Sequence, residues 1–273
     1  MTEALFVRDG DAFVPTPLAG SPWSPSVLHG GPPTGLLAFV LEAASDTANL
    51  RLARLTVDLL RPVPSAPLTV RVETIRSGRR LQLLGASLLA DGVEVSRATA
   101  LFLERREVAV PDYGRFGDER LPAPDGRAVD TLANLAGGGK GSPSGLKGLH
   151  TTAEACLIDG VAGRGAGRMW MRLPVAVVAG EPVSPAVQTA TLSDFGNGVG
   201  QLRLAPDVGC INADISLHLH RTPQPGWLGL DARSRMQPDG VGLVETLLYD
   251  ELGLVGRVTQ STLAMPVYNG NGG

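Results

Sequence analysis

Residues 28–44, LHGGPPTGLLAFVLEAA, decide the predicted architecture. The stretch opens with the Gly-Gly-Pro-Pro run of residues 30–33. Proline is tolerated in the first turn of a helix, where its missing N–H would have no partner in any case. Apolar residues then recur at helical spacing, namely Leu36, Leu37, Val40, Leu41 and Ala44. The pattern predicts one long helix over residues 32–45.

The segments on both sides of this helix have the pattern of strands. Residues 4–15 predict a hairpin, because two apolar runs flank Asp-Gly-Asp, a turn in which glycine accepts a positive φ. From residue 50, short alternating runs are separated by turn residues at 77–80 and 91–92. We therefore expect a hairpin, one helix and four antiparallel strands.

The region between residues 107 and 149 has no hydrophobic period and is rich in proline, glycine and charge. So long a stretch without structure is uncommon inside one compact domain and favours a domain boundary. The predicted organisation is an N-terminal domain at 1–107, a linker at 108–149 and a C-terminal domain at 150–273.

Comparison of the chain with itself indicates an internal repeat. A shift of 160 residues lays residues 56–103 on 216–263 without a gap, with nine identities. The same shift lays Thr34–Ala44 on Asp194–Leu204 and predicts a second helix over about 193–204, although Gly196, Gly198 and Gly200 disfavour a helix there. Two unrelated β-rich halves are the alternative.

Composition excludes several classes of protein. Hydrophobic residues make up 43% of the 273-residue chain, and a net charge of −3 offers no basic field for nucleic acid. Two cysteines without CxxC spacing supply neither a disulfide framework nor a zinc site. No run reaches the roughly 18 apolar residues of a membrane span, and no signal peptide is evident. The expectation is a cytoplasmic protein without membrane insertion.

Five segments in order resemble the acyl-CoA thioesterase II (TesB-type) family and its thioesterase-like relatives. They are LHGGPPTGLL (28–37), LLRPVPSAPLTVRVETIRSGRR (59–80), TLSDFGNG (191–198), INADISLHLHR (211–221) and RVTQSTLAM (257–265). The resemblance implies an α+β double hotdog fold, in which two tandem repeats each wrap an antiparallel β-sheet around a long helix.

The resemblance also implies a catalytic site. The family's aspartate falls on Asp194 and its glutamine on Gln260, while its hydroxyl residue is replaced by Asn212. An amide can still hold a water, because it both donates and accepts hydrogen bonds. Each residue also has a purely structural interpretation: Asp194 as a helix N-cap, Gln260 as a solvated strand residue and Asn212 as the start of a strand.

The turn before the first helix is the predicted oxyanion-binding and substrate-binding element, with His29, Gly30 and Gly31. Glycine lets a substrate carbonyl approach the N–H groups of a helix start closely. The alternative is that the glycines only form a turn. Three arginines at another turn are candidates for the phosphates of coenzyme A or, alternatively, solvated turn residues: Arg76, Arg79 and Arg80.

Other chemistries find little support. His218 and His220 share one strand face, but no nearby segment supplies a third metal ligand, so no metal is expected. The opposite face of that strand is apolar and predicted to pack inward: Ile211, Ala213, Ile215, Leu217 and Leu219. There is no GxSxG elbow. Hotdog hydratases place a histidine five positions after their aspartate, where this chain has Val199.

The sequence thus predicts a cofactor-independent thioesterase that hydrolyses an acyl-CoA substrate to free acid and coenzyme A by water activation. A non-catalytic hotdog protein that binds acyl-CoA or a related thioester is the alternative. Because two fused hotdogs leave outer sheet edges unpaired, we also expect a homo-oligomer, most simply a dimer.

Overall fold

The computed structural model describes residues 3–45, 49–136, 145–160 and 163–266. In the first half of the chain, a hairpin precedes one helix and four strands, as predicted. These elements are β1 (Ala4–Asp9), β2 (Ala12–Pro15), α1 (Gly31–Ala43), β3 (Leu50–Asp58), β4 (Leu68–Arg76), β5 (Leu81–Ala90) and β6 (Val93–Glu104).

The remainder of the chain repeats this order, with one short helix and two short strands added, after four short connecting elements. The connecting elements are a 3-10 helix (Asp112–Gly114), β7 (Asp130–Thr131), α2 (Leu132–Ala136) and α3 (Leu149–Thr152). The second half then comprises β8 (Glu154–Gly160), β9 (Ala166–Arg172), β10 (Ala176–Val178), α4 (Pro185–Ser193), α5 (Gly196–Val199), β11 (Val208–Asn212), β12 (Asp214–Leu219), β13 (Leu228–Met236), β14 (Val241–Asp250) and β15 (Gly253–Pro266).

The two halves have the same sheet topology. The first half orders its strands β1-β2-β4-β5-β6-β3, and the second orders the corresponding strands β8-β9-β13-β14-β15-β12. β4 and β13 begin and end 160 residues apart, and so do β5 and β14. The predicted internal repeat is confirmed in the strands.

One continuous sheet joins the halves. β3 and β12 pair antiparallel at the centre, with Asp58 opposite Asp214 and Arg54 opposite His218. At the far end of the strand order, β10 pairs parallel with β1. β10 begins four residues after β9 ends, a stretch that spans at most about 14 Å. The sheet must therefore curl so that its two outer regions approach each other.

The helices fill the concave side of this sheet. α1 packs against β3, β4, β5 and β6 of its own repeat and against α4 of the other. Its buried residues come from nearly every side, including the apolar positions Leu36, Leu37 and Leu41. A helix that is apolar all round is expected where sheet and helix enclose it on all sides.

The second helix lies eight residues earlier than predicted. The prediction placed a helix over about 193–204, whereas α4 spans Pro185–Ser193 and only the short α5, Gly196–Val199, follows. The signal that decides the start is Ser184-Pro185, because the Ser184 side chain accepts the N–H of Val187 and proline occupies the first turn. Asp194 is consequently the C-cap of α4, and the N-cap interpretation was wrong.

α1 and α4 run antiparallel and approach closely through glycine. A methyl group at Gly31 would lie 2.5 Å from the Thr191 carbonyl oxygen, and one at Gly35 would lie 2.0 Å from Thr191 Oγ1. Real side chains do not tolerate such distances, so only glycine permits this helix spacing. The contact brings the start of α1 against the end of α4, where Asp194 lies.

The segment predicted as a linker, 108–149, packs partly on the second half. Leu121 joins a small buried cluster with Cys156, Trp170 and Tyr249. Trp170 Nε1 donates to the Pro122 carbonyl oxygen at 2.7 Å. These contacts fasten residues near 121 to the outer strands of the second repeat. Residues 137–144 of the predicted linker lie outside the described residues.

Candidate active site

Asp194 lies at the junction of α4 and α1 and is only 6% exposed. Gly30, the N-cap of α1, faces its carboxylate so closely that a methyl group there would lie 2.7 Å from Asp194 Oδ2. Gly30 has ordinary helical dihedral angles, φ −66° and ψ −26°. The glycine is therefore required by the approach of the carboxylate rather than by its backbone conformation.

Three donors surround the Asp194 carboxylate. Asn212 Nδ2 donates to Oδ1 at 2.9 Å, and His29 Nδ1 lies 2.8 Å from Oδ2. The main-chain N–H of Gly31 is the third donor. The structure thus brings together Asp194 and Asn212, as predicted, and adds His29 as a direct partner of the carboxylate.

The position of the His29 proton follows from these contacts. The Gly31 nitrogen also lies 3.2 Å from His29 Nδ1 and would bond to it if Nδ1 carried a lone pair. However, an imidazole nitrogen 2.8 Å from a carboxylate oxygen needs a proton between them. We therefore assign the proton to Nδ1, which leaves the Gly31 N–H to the carboxylate and the lone pair of the neutral imidazole to Nε2.

Electrostatics favours the ionised form of Asp194. Burial is the largest single effect and opposes the charge, but His29, Asn212 and the Gly31 N–H together outweigh it. The pKa of Asp194 is consequently lowered from its ordinary value. A carboxylate that already has three donors and a lowered pKa is a weak proton acceptor at neutral pH.

Asn212 reaches the site because the strand pairing shifts beside it. Asn212 is opposite Thr262 of β15, whereas Ser216 is opposite Thr259. The β11–β12 side thus contains one extra residue at Ala213, and an extra residue reverses which side chains face inward. Ile215, Leu217 and Leu219 are buried as predicted, but Ile211 and Ala213 are exposed, which corrects the expectation of a uniform inward face.

Gln260 approaches Asp194 from the backbone side. It lies on β15 and is completely buried, and its Nε2 donates to the main-chain oxygen of Asp194 at 3.5 Å. Among the described residues, neither its buried Oε1 nor the buried Thr246 Oγ1 has a hydrogen-bond partner. Both atoms line the space beside Gly196, where a methyl group would lie 2.8 Å and 2.4 Å from them. Gln260 is thus adjacent to the aspartate but does not contact its carboxylate.

The glycine turn has few free donors. The Gly31 N–H is occupied by the Asp194 carboxylate. Pro32 and Pro33 have no N–H, and the Thr34 N–H donates to the Gly30 carbonyl oxygen. Within the described residues, the Gly30 N–H has no hydrogen-bond partner, so it is the donor left for an oxyanion.

A second histidine, His150 of α3, lies close to His29 and was missed by the sequence analysis. It is 5% exposed, and its pKa is lowered to about 4 by burial first and by the proximity of His29 second. Its neighbour Leu149 lies against Gly31. The sequence signal was weak, because His150 follows the proline-rich and glycine-rich stretch that predicted a linker.

The other predicted residues lie elsewhere. Arg76 ends β4, and Arg79 and Arg80 belong to the following turn, where all three are exposed and make no contact with Asp194 or its partners in the described chain. His218 is exposed on β12, and His220 stacks on Phe116 with ring centroids 3.7 Å apart. Among the described residues, no group of three or more His, Cys, Asp or Glu side chains is arranged to hold a metal ion.

Comparison with known proteins identifies the family. Residues 19–103 match the family model of the acyl-CoA thioesterase N-terminal domain. Residues 123–264 match the family model of the acyl-CoA thioesterase C-terminal domain. The chain belongs to this acyl-CoA thioesterase family. No sequence among the curated proteins matches it significantly.

Solved structures confirm the fold. A hotdog-fold protein of unknown function from Alicyclobacillus acidocaldarius has a TM-score of 0.71 at 19% identity, covering 95% of each chain. A TesB protein from Mycobacterium avium subspecies paratuberculosis has a TM-score of 0.67 at 18% identity, covering 96% of each chain. The acyl-CoA thioesterase II TesB2 from Mycobacterium marinum has a TM-score of 0.64 at 17% identity, covering 89% of this chain and 92% of its own. The first of these proteins has the hotdog fold that the family resemblance implied. Within the described residues, no helix is both long and apolar enough to cross a membrane.

Proposed function

We propose that this protein hydrolyses acyl-CoA thioesters to free acid and coenzyme A at the site around Asp194. Membership of the acyl-CoA thioesterase family supports the substrate class. The observation that carries the proposal is the buried Asp194 carboxylate, held by Asn212 and His29 at the glycine-lined start of α1.

The reaction needs a positioned water, a proton acceptor and a donor for the oxyanion. The water oxygen bonds to the thioester carbon, the carbonyl oxygen becomes an oxyanion, and the C–S bond then breaks. Asp194 and Asn212 form the polar surface that orients the water, and Gln260 supports them through the main-chain oxygen of Asp194. Orientation is a large part of such a barrier. The Gly30 N–H at the positive end of α1 stabilises the oxyanion.

A non-catalytic role in binding an acyl thioester is the second candidate. It is favoured by Asn212, which stands where the family has a hydroxyl, and by the occupation of the Gly31 N–H by the carboxylate. Under this alternative, the carboxylate and its three donors would hold the site together without activating water.

The discriminating experiment measures thiol release from straight-chain acyl-CoA of increasing length, alongside the shift in melting temperature that each acyl-CoA causes. We expect thiol release that depends on chain length and is absent from an identically prepared Asp194→Ala variant, which controls for contaminating thioesterases. Stabilisation by acyl-CoA without thiol release would select the binding role instead.

Other features of the proposal are independent of the site. Contact of Arg76, Arg79 and Arg80 with coenzyme A phosphates, the absence of a cofactor, a cytoplasmic location and a homodimer all stay predictions. The outermost strands of the sheet path, β7 and β10, are only two and three residues long.

A further inference from the structure

We propose that His29 is the proton acceptor of this site: its Nε2 takes a proton from the attacking water, and Asp194 acts as its positioning residue. This inference rests on the proposed thioester hydrolysis and assigns within it a role that sequence analysis gave to Asp194. It follows from the hydrogen bonds of the carboxylate, the tautomer of the imidazole and the accessibility of its second nitrogen.

The Asp194 carboxylate already has several donors from the protein. Oδ1 of Asp194 accepts from Asn212 at 2.9 Å, and Oδ2 lies 2.8 Å from His29 Nδ1, with the Gly31 N–H as a third donor. A water that is to lose a proton must donate to its acceptor, and here three donors already occupy most of the acceptor positions of the two oxygens. The same donors lower the pKa of Asp194, which weakens it further as a base.

The imidazole of His29 has its second nitrogen, Nε2, available as an acceptor. With the proton on Nδ1, the lone pair of neutral His29 resides on Nε2. Nε2 has no hydrogen-bond partner in the described part of the chain, and it is not among the buried polar atoms that lack one. Since the His29 side chain is 14% exposed, we conclude that Nε2 is the atom open to solvent and substrate.

Proton uptake places a positive charge on the His29 ring. The groups facing His29 are the Asp194 carboxylate from the end of α4, the Phe195 ring at 4.9 Å between centroids and His150 from α3. His150 has a pKa of about 4 and is therefore neutral near pH 7, so it does not oppose the charge. Asp194 stabilises the imidazolium directly, as a buried carboxylate does for a catalytic histidine in general.

The proton and bond balance closes without a further reactant. As the water oxygen bonds to the carbonyl carbon, one water proton moves to Nε2. When the C–S bond breaks, its electron pair leaves with sulfur. The imidazolium returns its proton to that thiolate, which yields coenzyme A, free acid and neutral His29. Asp194 remains ionised throughout.

The test uses two matched variants of the full chain. His29→Asn keeps an amide donor near the position of Nδ1 and removes Nε2, whereas His29→Gln places an amide near the position of Nε2 without a basic nitrogen. We expect each variant to lower kcat at least ~100-fold, the low end for loss of a general base, with melting temperatures close to the wild type. KM should change little.

The pH profile distinguishes proton transfer from a structural role. Wild-type kcat/KM should fall on an acid limb, because the base must be unprotonated to accept a proton, and the residual rate of His29→Asn should lack this limb. A variant that retains the limb, at whatever rate, would overturn the proposal and leave Asp194 as the acceptor. A wild-type protein without any thiol release would instead refute the hydrolase function itself.

A measurement on the wild type covers the case in which neither variant folds. Nitrogen-15 spectra of the histidine rings at pH 8 should show His29 with its proton on Nδ1 and a lone pair on Nε2. The opposite tautomer would make Nε2 a donor rather than an acceptor and would contradict the proposed role.

Discussion

The two ends of the antiparallel helices α1 and α4 are related by the repeat but differ in chemistry. At one end α1 begins at its N-cap Gly30 and α4 ends at its C-cap Asp194. At the other end α1 finishes at its C-cap Ala44 and α4 begins after its N-cap Ser184. The position of the buried carboxylate at the first end is thus taken by a methyl group at the second.

The strands repeat this difference. The 160-residue offset that relates the two sheets pairs Asn212 with Leu52 and Gln260 with Ala100. Both polar side chains of the first end are therefore apolar at the second. The two repeats share the backbone that can place such groups, because strand position depends on the pattern of apolar burial. They do not share the groups themselves, which burial alone disfavours.

The second end still has a cavity of about 330 Å³, at the end of α1 and the start of α4. Its lining includes Leu52, two arginines (Arg51 and Arg105) and one carboxylate, Glu42. We therefore expect hydrolysis to depend on the Asp194 end and not on the Glu42 end.

Removal of the carboxylate at each end tests this claim with the largest expected effect. Asp194→Ala should lower kcat at least ~100-fold, because the base would lose its orientation and its counter-charge. Glu42→Ala should leave kcat within about twofold. The measurement is thiol release at saturating acyl-CoA, with circular dichroism to confirm that both variants are folded. Equal losses in the two variants would mean that the ends are not functionally distinct.

The strand plan and the first helix could be predicted from the sequence because each depends on local pattern. The turn residues at 77–80 and 91–92 punctuate the first repeat, and the Gly-Gly-Pro-Pro run starts α1. α4 was misplaced because the offset measured in the strands was carried over to the helix, although the connection from α4 to β11 is longer than that from α1 to β3. The local signal for the start of α4 is Ser184-Pro185.

The site was only partly predictable, for reasons that lie in tertiary structure. Asp194 and Asn212 were assigned by resemblance, but the contact between them depends on the extra residue at Ala213, which no periodicity indicates. The contact between His29 and Asp194 joins residues 165 positions apart. Such a contact forms only when α1 and α4 pack at the close spacing that glycine permits, and a single sequence does not reveal the spacing between two helices.

A methyl group on the site glycine is expected to have the next largest effect. Gly30→Ala should lower kcat/KM about 10- to 100-fold, because the new methyl group would displace the Asp194 carboxylate, and small misplacements of catalytic groups have effects of this size. The control is Gly117→Ala, since a methyl group there would meet only Glu119 at 3.9 Å. If Gly30→Ala retained wild-type kcat/KM, the position of the carboxylate at the helix junction would not matter for catalysis.

The smallest effect on activity, but a distinct effect on stability, is expected from His150, which lies at the Asp194 end. Its folded pKa of about 4 is below the ordinary histidine value, so the unfolded chain binds its proton first as the pH falls. The contribution of the neutral His150 to the free energy of unfolding is thus complete above about pH 6.5 and is lost progressively down to about pH 4. Between pH 7 and pH 5, the free energy of unfolding should decrease by about 2 kcal/mol on this account. Urea unfolding of His150→Asn should lack this part of the decrease, whereas His218→Asn, at an exposed position of β12, should retain it. If the free energy of unfolding depended on pH in the same way in the wild type and both variants, the buried histidine would not be the titrating group. The two ends would then not differ in the pH sensitivity of their stability.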